Sequence, residues 1–349
     1  MEQILIVRLS AIGDIVFASP LVHALRLRYP DARISWLTQP ESKSLLEYHP
    51  DLDEVITWPR DEWAGLWRER RWLDLWRAVR GFRRMLRSHR FDMALDVQGL
   101  MKSGYLTWLS GARQRIGLGS REGSGWLMTR VITSRRGGRR IGSEYLHVAE
   151  QLDLPTSDFE MQVGLSEADR VHVQALVKAH GLARGFVVIC PFTTRPQKHW
   201  FAASWRHLIE RIQVDWGLSL VILGGPGDRH AAKQIASAHS SGLVNLVGET
   251  TLREAAAIIA LAELVIGVDT GLTHMGIAMQ RPTLSLFGSI CPYLDIIHAN
   301  ARVIYHAKAC SPCRRNPTCR EAFDCMAAIS VDEVIAEAMR LPGFRASTQ

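Results

Sequence analysis

Short apolar runs recur along this chain with helix-length intervals between them, and that alternation predicts an α/β protein. Residues 4–9, 33–37, 54–57 and 92–97 have the length and the β-branched, apolar character of strands lying inside a sheet. Helical spacing fills the gaps, first from the turn 10–14 to about residue 29 and later over 73–88. A second series of runs follows at 186–190, 219–223, 243–247, 264–268 and 283–287. Strands that alternate with helices build parallel sheets covered on both faces, so each series predicts its own doubly wound layer. The stretch Leu154-Pro155-Thr156-Ser157-Asp158 breaks the pattern, and a connecting helix is expected over 167–180. The organisation expected is a domain over 1–160, a linker with the connecting helix over 161–184, and a domain over 185–349.

None of the apolar runs approaches the roughly 20 residues that span a bilayer. Residues 255–268 are interrupted by Glu263, and the first run by Arg8 and Asp14. The opening Met1-Glu2 lacks the basic segment of a signal peptide, so the expected location is the cytoplasm.

Charge adds a partner to this picture. The net charge is +7, and arginines crowd one segment, among them Arg60, Arg68, Arg70, Arg71, Arg77, Arg80, Arg83, Arg84, Arg87 and Arg90. Such a face suits an anionic partner, whether nucleic acid, anionic lipid or a phosphorylated glycan, and a merely solvated helix would look similar. Trp63, Trp67, Trp72 and Trp76 are interleaved with these arginines, and most of them are expected to face the core or a groove.

The candidate chemistry sits where strands hand over to helices. In Val268-Asp269-Thr270-Gly271-Leu272-Thr273-His274 a buried strand ends and a helix begins, so the first helical N–H groups and the positive end of the dipole suit an anion. Asp269 adds an acceptor for hydroxyls and His274 a titratable donor. An ordinary turn with an Asp cap is the plainer alternative. The turn Ser10-Ala11-Ile12-Gly13-Asp14 lacks the G-x-G-x-x-G of a dinucleotide fold, which weighs against an oxidoreductase, and offers one carboxylate, Asp14. Gln98 and Lys102 leave the strand ending near Val97, Arg115 to Arg130 is expected to be a mobile loop, and the later strands release Thr193, Thr194, Lys198 and Asp228. Hydroxyls, a lysine, small glycines and carboxylates at sheet edges fit a nucleotide-sugar.

Four motifs carry a resemblance. Ser10-Ala11-Ile12-Gly13-Asp14, Asp96-Val97-Gln98-Gly99-Leu100-Met101-Lys102-Ser103, Thr193-Thr194-Arg195 with Lys198-His199-Trp200, and Val268 through His274 resemble the bacterial heptosyltransferases of glycosyltransferase family 9, most closely the heptosyltransferase I type. The likeness runs from the first strand to about Asp295. It implies a GT-B fold, with two Rossmann-like domains facing across a cleft, the acceptor on the first and the ADP-sugar on the second. It also implies inverting transfer of L-glycero-D-manno-heptose from ADP-heptose to the Kdo-lipid A core of lipopolysaccharide. By the same resemblance Asp14 is the base, and Thr193, Thr194, Lys198, Thr270, Gly271 and His274 surround the diphosphate. Asp269 then holds sugar hydroxyls and Asp228 approaches the nucleoside. The residues agree, since inversion needs one base for the acceptor proton and positive charge at the departing phosphate, here Lys198. No catalytic cofactor is called for. The acceptor is anionic, so Arg60, Arg68, Arg70, Arg71, Gln98 and Lys102 are its expected contacts, with peripheral contact at the inner membrane surface and no nucleic acid. Transfer to another core sugar or to a protein remains an alternative, and a basic nucleic-acid-binding protein is the alternative from another class.

Cys310, Cys313, Cys319 and Cys325 follow a C-x2-C-x5-C-x5-C spacing. Four soft ligands within sixteen residues suit a closed structural zinc or iron site, although reduced surface thiols would give the same spacing.

Overall fold

Two six-stranded sheets, parallel throughout, carry the fold of this computed structural model, which describes residues 2–134, 141–237, 242–289, 299–313 and 316–345. The chain divides into two units, one holding Met1–Arg136 and Gly142–Gly164, the other built mainly from Leu165–Gln349. The first sheet contains β1 (Gln3–Val7), β2 (Arg33–Thr38), β3 (Glu54–Thr57), β4 (Met93–Asp96), β5 (Gln114–Leu118) and β6 (Arg130–Ile132), in the order β3-β2-β1-β4-β5-β6. The second contains β7 (Phe186–Cys190), β8 (Ser219–Ile222), β9 (Leu243–Asn245), β10 (Leu264–Val268), β11 (Thr283–Phe287) and β12 (Ala301–Tyr305), in the order β12-β11-β10-β7-β8-β9. Asp295, where the resemblance ends, lies outside the described residues.

Both faces of each sheet are covered, which is why the central strands are apolar throughout. In the first unit Ile4, Ile6, Ile34 and Trp36 point to one face, packed by helices Pro20–Arg28 and Ser143–Gln151. Leu5, Val7, Leu37 and Ala94 point to the other, against Phe82, Leu86 and Leu106 from helices Trp72–Ser88 and Met101–Leu109. The single helix expected over 10–29 is two, Ile12–Ala18 and Pro20–Arg28, because Pro20 has no N–H to continue the first ladder. His49, also in this unit, is buried, and its Nδ1 accepts a hydrogen bond from the Asp51 N–H at 3.2 Å.

Three further expectations are corrected. Residues 115–130 are no mobile loop: they hold β5, the turn Ser124–Leu127 and the start of β6. Arg115, which makes the stretch look polar, binds backbone, donating to the carbonyls of Ala112 at 2.7 Å and Leu127 at 2.8 Å. Gly117 sits within β5 because a Cβ there would lie 2.3 Å from Ser120 Oγ. Strand β12 follows the last strand expected from the sequence.

The tryptophans are the third correction. Trp63 packs edge-on between Trp58 and Phe82, at 6.0 and 5.5 Å, but Trp67, Trp72 and Trp76 are 62%, 50% and 58% exposed. Length explains this. The 17-residue Trp72–Ser88 helix is about 25 Å long, whereas the neighbouring strands of four to six residues run about 13–20 Å. Its only fully buried residues, Phe82 and Leu86, lie in its second half, so its first half overhangs the layer.

Candidate functional site

Strand order reverses between β1 and β4 in the first sheet and between β7 and β10 in the second. At such points the chain leaves two neighbouring strands towards opposite faces, and a crevice opens at their carboxyl ends. In the second unit that crevice holds most of the residues expected at the donor. β10 ends at Val268, and Asp269 and Thr270 lead into the helix Gly271–Ala278. The approach depends on Gly267, where a Cβ would lie 2.1 Å from Thr273 Oγ1; that hydroxyl donates to the Val268 carbonyl at 2.8 Å. Thr270 is extended and makes no capping bond, so the first-turn N–H groups remain available to an anion.

Asp269 is the centre of this site. Lys198 Nζ lies 2.5 Å from its Oδ2, and His274 Nε2 donates to its Oδ1 at 3.2 Å. Burial would push the Asp269 carboxyl up, but the hydrogen bond and charge of His274, joined by the Lys198 ammonium, bring it below its ordinary value. Thr193 Oγ1 donates to the Asp269 carbonyl at 3.4 Å, and its own carbonyl accepts from His199 at 2.8 Å, while Thr194 is exposed beside it. Trp200, buried and donating to the Ile329 carbonyl at 3.2 Å, anchors this loop in the core. From the next strand, Asp228 Oδ2 accepts from the Gly225 N–H at 2.9 Å and closes the Gly224-Gly225-Pro226-Gly227 turn. Lys198 can offer its remaining N–H groups, and the helix start its amides, to a diphosphate.

In the first unit the loops after β1 and β4 are tied together. Asp14 Oδ2 accepts from the Ala11 N–H at 3.3 Å and pairs with Arg8 Nη2, while Arg8 Nη1 donates to the Val97 carbonyl at 3.0 Å. Gln98 Oε1 accepts from the Leu9 N–H at 2.8 Å, so part of Gln98 braces the edge. Asp96 is buried and accepts from the Gln98 and Gly99 N–H groups and from Ser103 Oγ, each at 3.0 Å. Burial pushes its carboxyl up in spite of those bonds. Tyr145, buried near Arg8, Asp14 and Glu144, has its phenol pushed up by burial as well. Arg8, Asp96 and Tyr145 were not singled out as functional from the sequence. Arg8 did leave a signal, as a charge inside an apolar run.

The expected acceptor contacts scatter. Lys102 is exposed on the first turn of the Met101–Leu109 helix. Arg60 is engaged by Asp61 at 2.9 Å and Glu41 at 3.0 Å, and Arg71 by Asp74 at 3.1 Å and Glu69 at 3.3 Å. Arg68 donates to the Ala64 carbonyl at 3.2 Å, and among the described residues neither it nor Arg70 pairs with a carboxylate. Cys310, Cys313, Cys319 and Cys325 are free thiols, and among the described residues no three His, Cys, Asp or Glu side chains are gathered for a metal ion.

The model of glycosyltransferase family 9 (heptosyltransferase) matches residues 79–323. Lipopolysaccharide heptosyltransferase 1 of Salmonella typhimurium is 26% identical over 309 residues, covering 84% of this chain and 90% of its own. Lipopolysaccharide heptosyltransferase 2 of Escherichia coli is also 26% identical, over 315 residues, with 86% and 87% covered. Among solved structures, that of E. coli heptosyltransferase WaaC with ADP-2-deoxy-2-fluoro heptose superposes with a TM-score of 0.72 at 22% identity, covering 96% of this chain and 98% of that one. With two Rossmann-like sheets, the fold is GT-B.

Proposed function

We propose that this chain, which belongs to glycosyltransferase family 9 and is a glycosyltransferase, moves L-glycero-D-manno-heptose from ADP-heptose to the Kdo-lipid A inner core of lipopolysaccharide. The observation that carries this reading is the group Lys198, Asp269 and His274 at the start of the Gly271–Ala278 helix. It combines a carboxylate kept ionised for sugar hydroxyls with an ammonium and helix amides for a diphosphate.

The chemistry then divides between two sets of residues. The acceptor oxygen forms its bond to the anomeric carbon from the face opposite the phosphate, and the bond from that carbon to the β-phosphate oxygen breaks. The electron pair leaves with ADP, where Lys198 and the helix N–H groups meet the growing charge. The acceptor proton passes to Asp14. Of its two oxygens, Oδ2 is occupied by Arg8 and Ala11, whereas Oδ1 takes no hydrogen bond among the described residues. Of the four arginines expected at the acceptor, Arg68 and Arg70 have no carboxylate partner among the described residues and are the better able to meet an anion.

A second reading, transfer to another core sugar, is favoured by the equal 26% identity to heptosyltransferases 1 and 2. The location that goes with either is the cytoplasmic side of the inner membrane; among the described residues no helix is long and apolar enough to cross a membrane. Mass spectrometry of products from ADP-heptose and a panel of truncated cores tests both. Product on Kdo-lipid A supports the first reading, and product only on an already heptosylated core supports the second. Absence of transfer to every core would count against both.

A further inference from the structure

Beyond Arg68 and the adjoining Arg70, the helical pair Arg60–Arg68 and Trp72–Ser88 presents a surface that the transfer chemistry leaves unused. Residues 60–90 contain ten arginines and four carboxylates, an excess of six in a chain whose whole excess is seven. Three of the four carboxylates are engaged locally: Asp61 by Arg60, Glu69 by Arg71, and Asp74 by Arg71 and Arg77. Among the described residues Arg80, Arg84 and Arg87 face no carboxylate, and at about 100° per residue they share one side of the helix with Trp72, Leu73 and Trp76. Leu73 is 72% exposed.

We propose that this side docks on an anionic lipid bilayer, its tryptophans and Leu73 seated at headgroup level and its arginines on lipid phosphates. Tryptophan with arginine on one exposed helical face is the composition of an interfacial helix. The ring geometry separates lipid from nucleic acid. Trp67 and Trp72 meet edge to face at 4.7 Å, Arg80 lies over the Trp76 ring at 5.1 Å, and Arg83 over the Trp108 ring at 5.6 Å. Ring faces covered in this way are poorly placed to stack on bases, whereas seating among headgroups uses the bulk and edges of the rings. Trp108 continues the surface to Tyr105, stacked at 6.0 Å and likewise exposed. Because the first half of the Trp72–Ser88 helix overhangs the carboxyl edge of the first sheet, docking there brings the membrane to the edge that carries Asp14. The inference deepens the proposed function by naming the surface on which a lipid-linked acceptor is met.

Flotation of the whole chain with vesicles, without donor or acceptor, tests it apart from any transfer assay. Wild type should float with phosphatidylcholine vesicles containing about a third phosphatidylglycerol, and its partitioning should fall steeply in 0.5 M salt or on phosphatidylcholine alone. At about fivefold for each arginine near an anionic surface, Arg80→Ser with Arg84→Ser should lower partitioning roughly 25-fold. Trp72→Ser with Trp76→Ser should lower it at least about tenfold. All four side chains are exposed, so the fold stays intact and circular dichroism should be unchanged. Wild type that fails to float, floats equally on neutral vesicles, or prefers duplex DNA to anionic vesicles overturns the proposal, as do variants that float like wild type.

Discussion

Arg8 and Asp14 are joined at the exit of β1, the guanidinium side chain 11% exposed and the carboxylate 43%. The cation holds Oδ2, and among the described residues Oδ1 takes no hydrogen bond. Asp14→Asn preserves shape and can still accept from the Ala11 N–H, but it cannot take up a proton. We expect kcat to fall at least about a hundredfold with ADP-heptose affinity near native. Donor titration beside steady-state kinetics measures both, and normal turnover would remove Asp14 from the role of base.

Lys198 pulls on Asp269 and, in the proposed reaction, on the departing phosphate as well. Lys198→Ala should weaken ADP-heptose binding and lower kcat, because charge accumulates on the leaving group as the glycosidic bond breaks. A second effect has a definite sign. The ammonium is one of the groups holding the Asp269 carboxyl down against its burial, so its removal should move the acid limb of donor binding to higher pH. Titration of donor affinity against pH in both proteins would read this shift, and an unmoved acid limb would show that His274 alone sets the carboxylate.

Stability in acid should depend on His49. Burial lowers its pKa from 6.5 to about 4, and its Nδ1 already accepts the Asp51 N–H. Between those two values the unfolded chain binds more protons than the native one. Stability is therefore full above about pH 6.5 and falls as pH drops towards 4, by about 3 kcal/mol in all. His49→Asn keeps an acceptor near the same place without the titration. Urea unfolding at pH 7 and pH 4.5 should show a smaller loss for the variant.

The cysteine segment gives a compositional prediction. Arg320, Glu321 and Phe323 have φ of 49°, 64° and 48°, and non-glycine residues in that region cost of order 1–3 kcal/mol each. Burial, joined by Cys310 and Cys319, pushes the Cys313 thiol up, although among the described residues no three ligand side chains are yet gathered. We propose that one structural zinc or iron ion draws Cys310, Cys313, Cys319 and Cys325 together. Elemental analysis of protein purified without chelator should find about one equivalent, lost in Cys313→Ser; metal-free wild type would retire the idea.

Residues whose neighbours are close in sequence were legible before the structure. Both sheets were foreseen from apolar strands such as Ile4 to Val7 and Leu264 to Val268, whose burial on two faces leaves a continuous run. Asp269 with His274 and Asp14 with its turn were legible because each stands where a strand meets a helix. The Lys198 to Asp269 contact joins residues far apart in sequence, and it follows from the pairing of β7 with β10, which no local pattern encodes. β5 was hidden because Gly117 and Arg115 serve contacts to distant backbone. The exposed tryptophans were misread because helical spacing reports a face, not whether a sheet lies beneath it.

The two sheets share one strand order, and each draws its six strands from one side of the boundary between Gly164 and Leu165. Neither lends a strand to the other, so the polypeptide is divisible there without cutting a ladder. A gene recombined at that boundary would hand down each half with its own crevice intact. Whatever each crevice binds would then be inherited as a separate character, able to change partners within a lineage without being rebuilt.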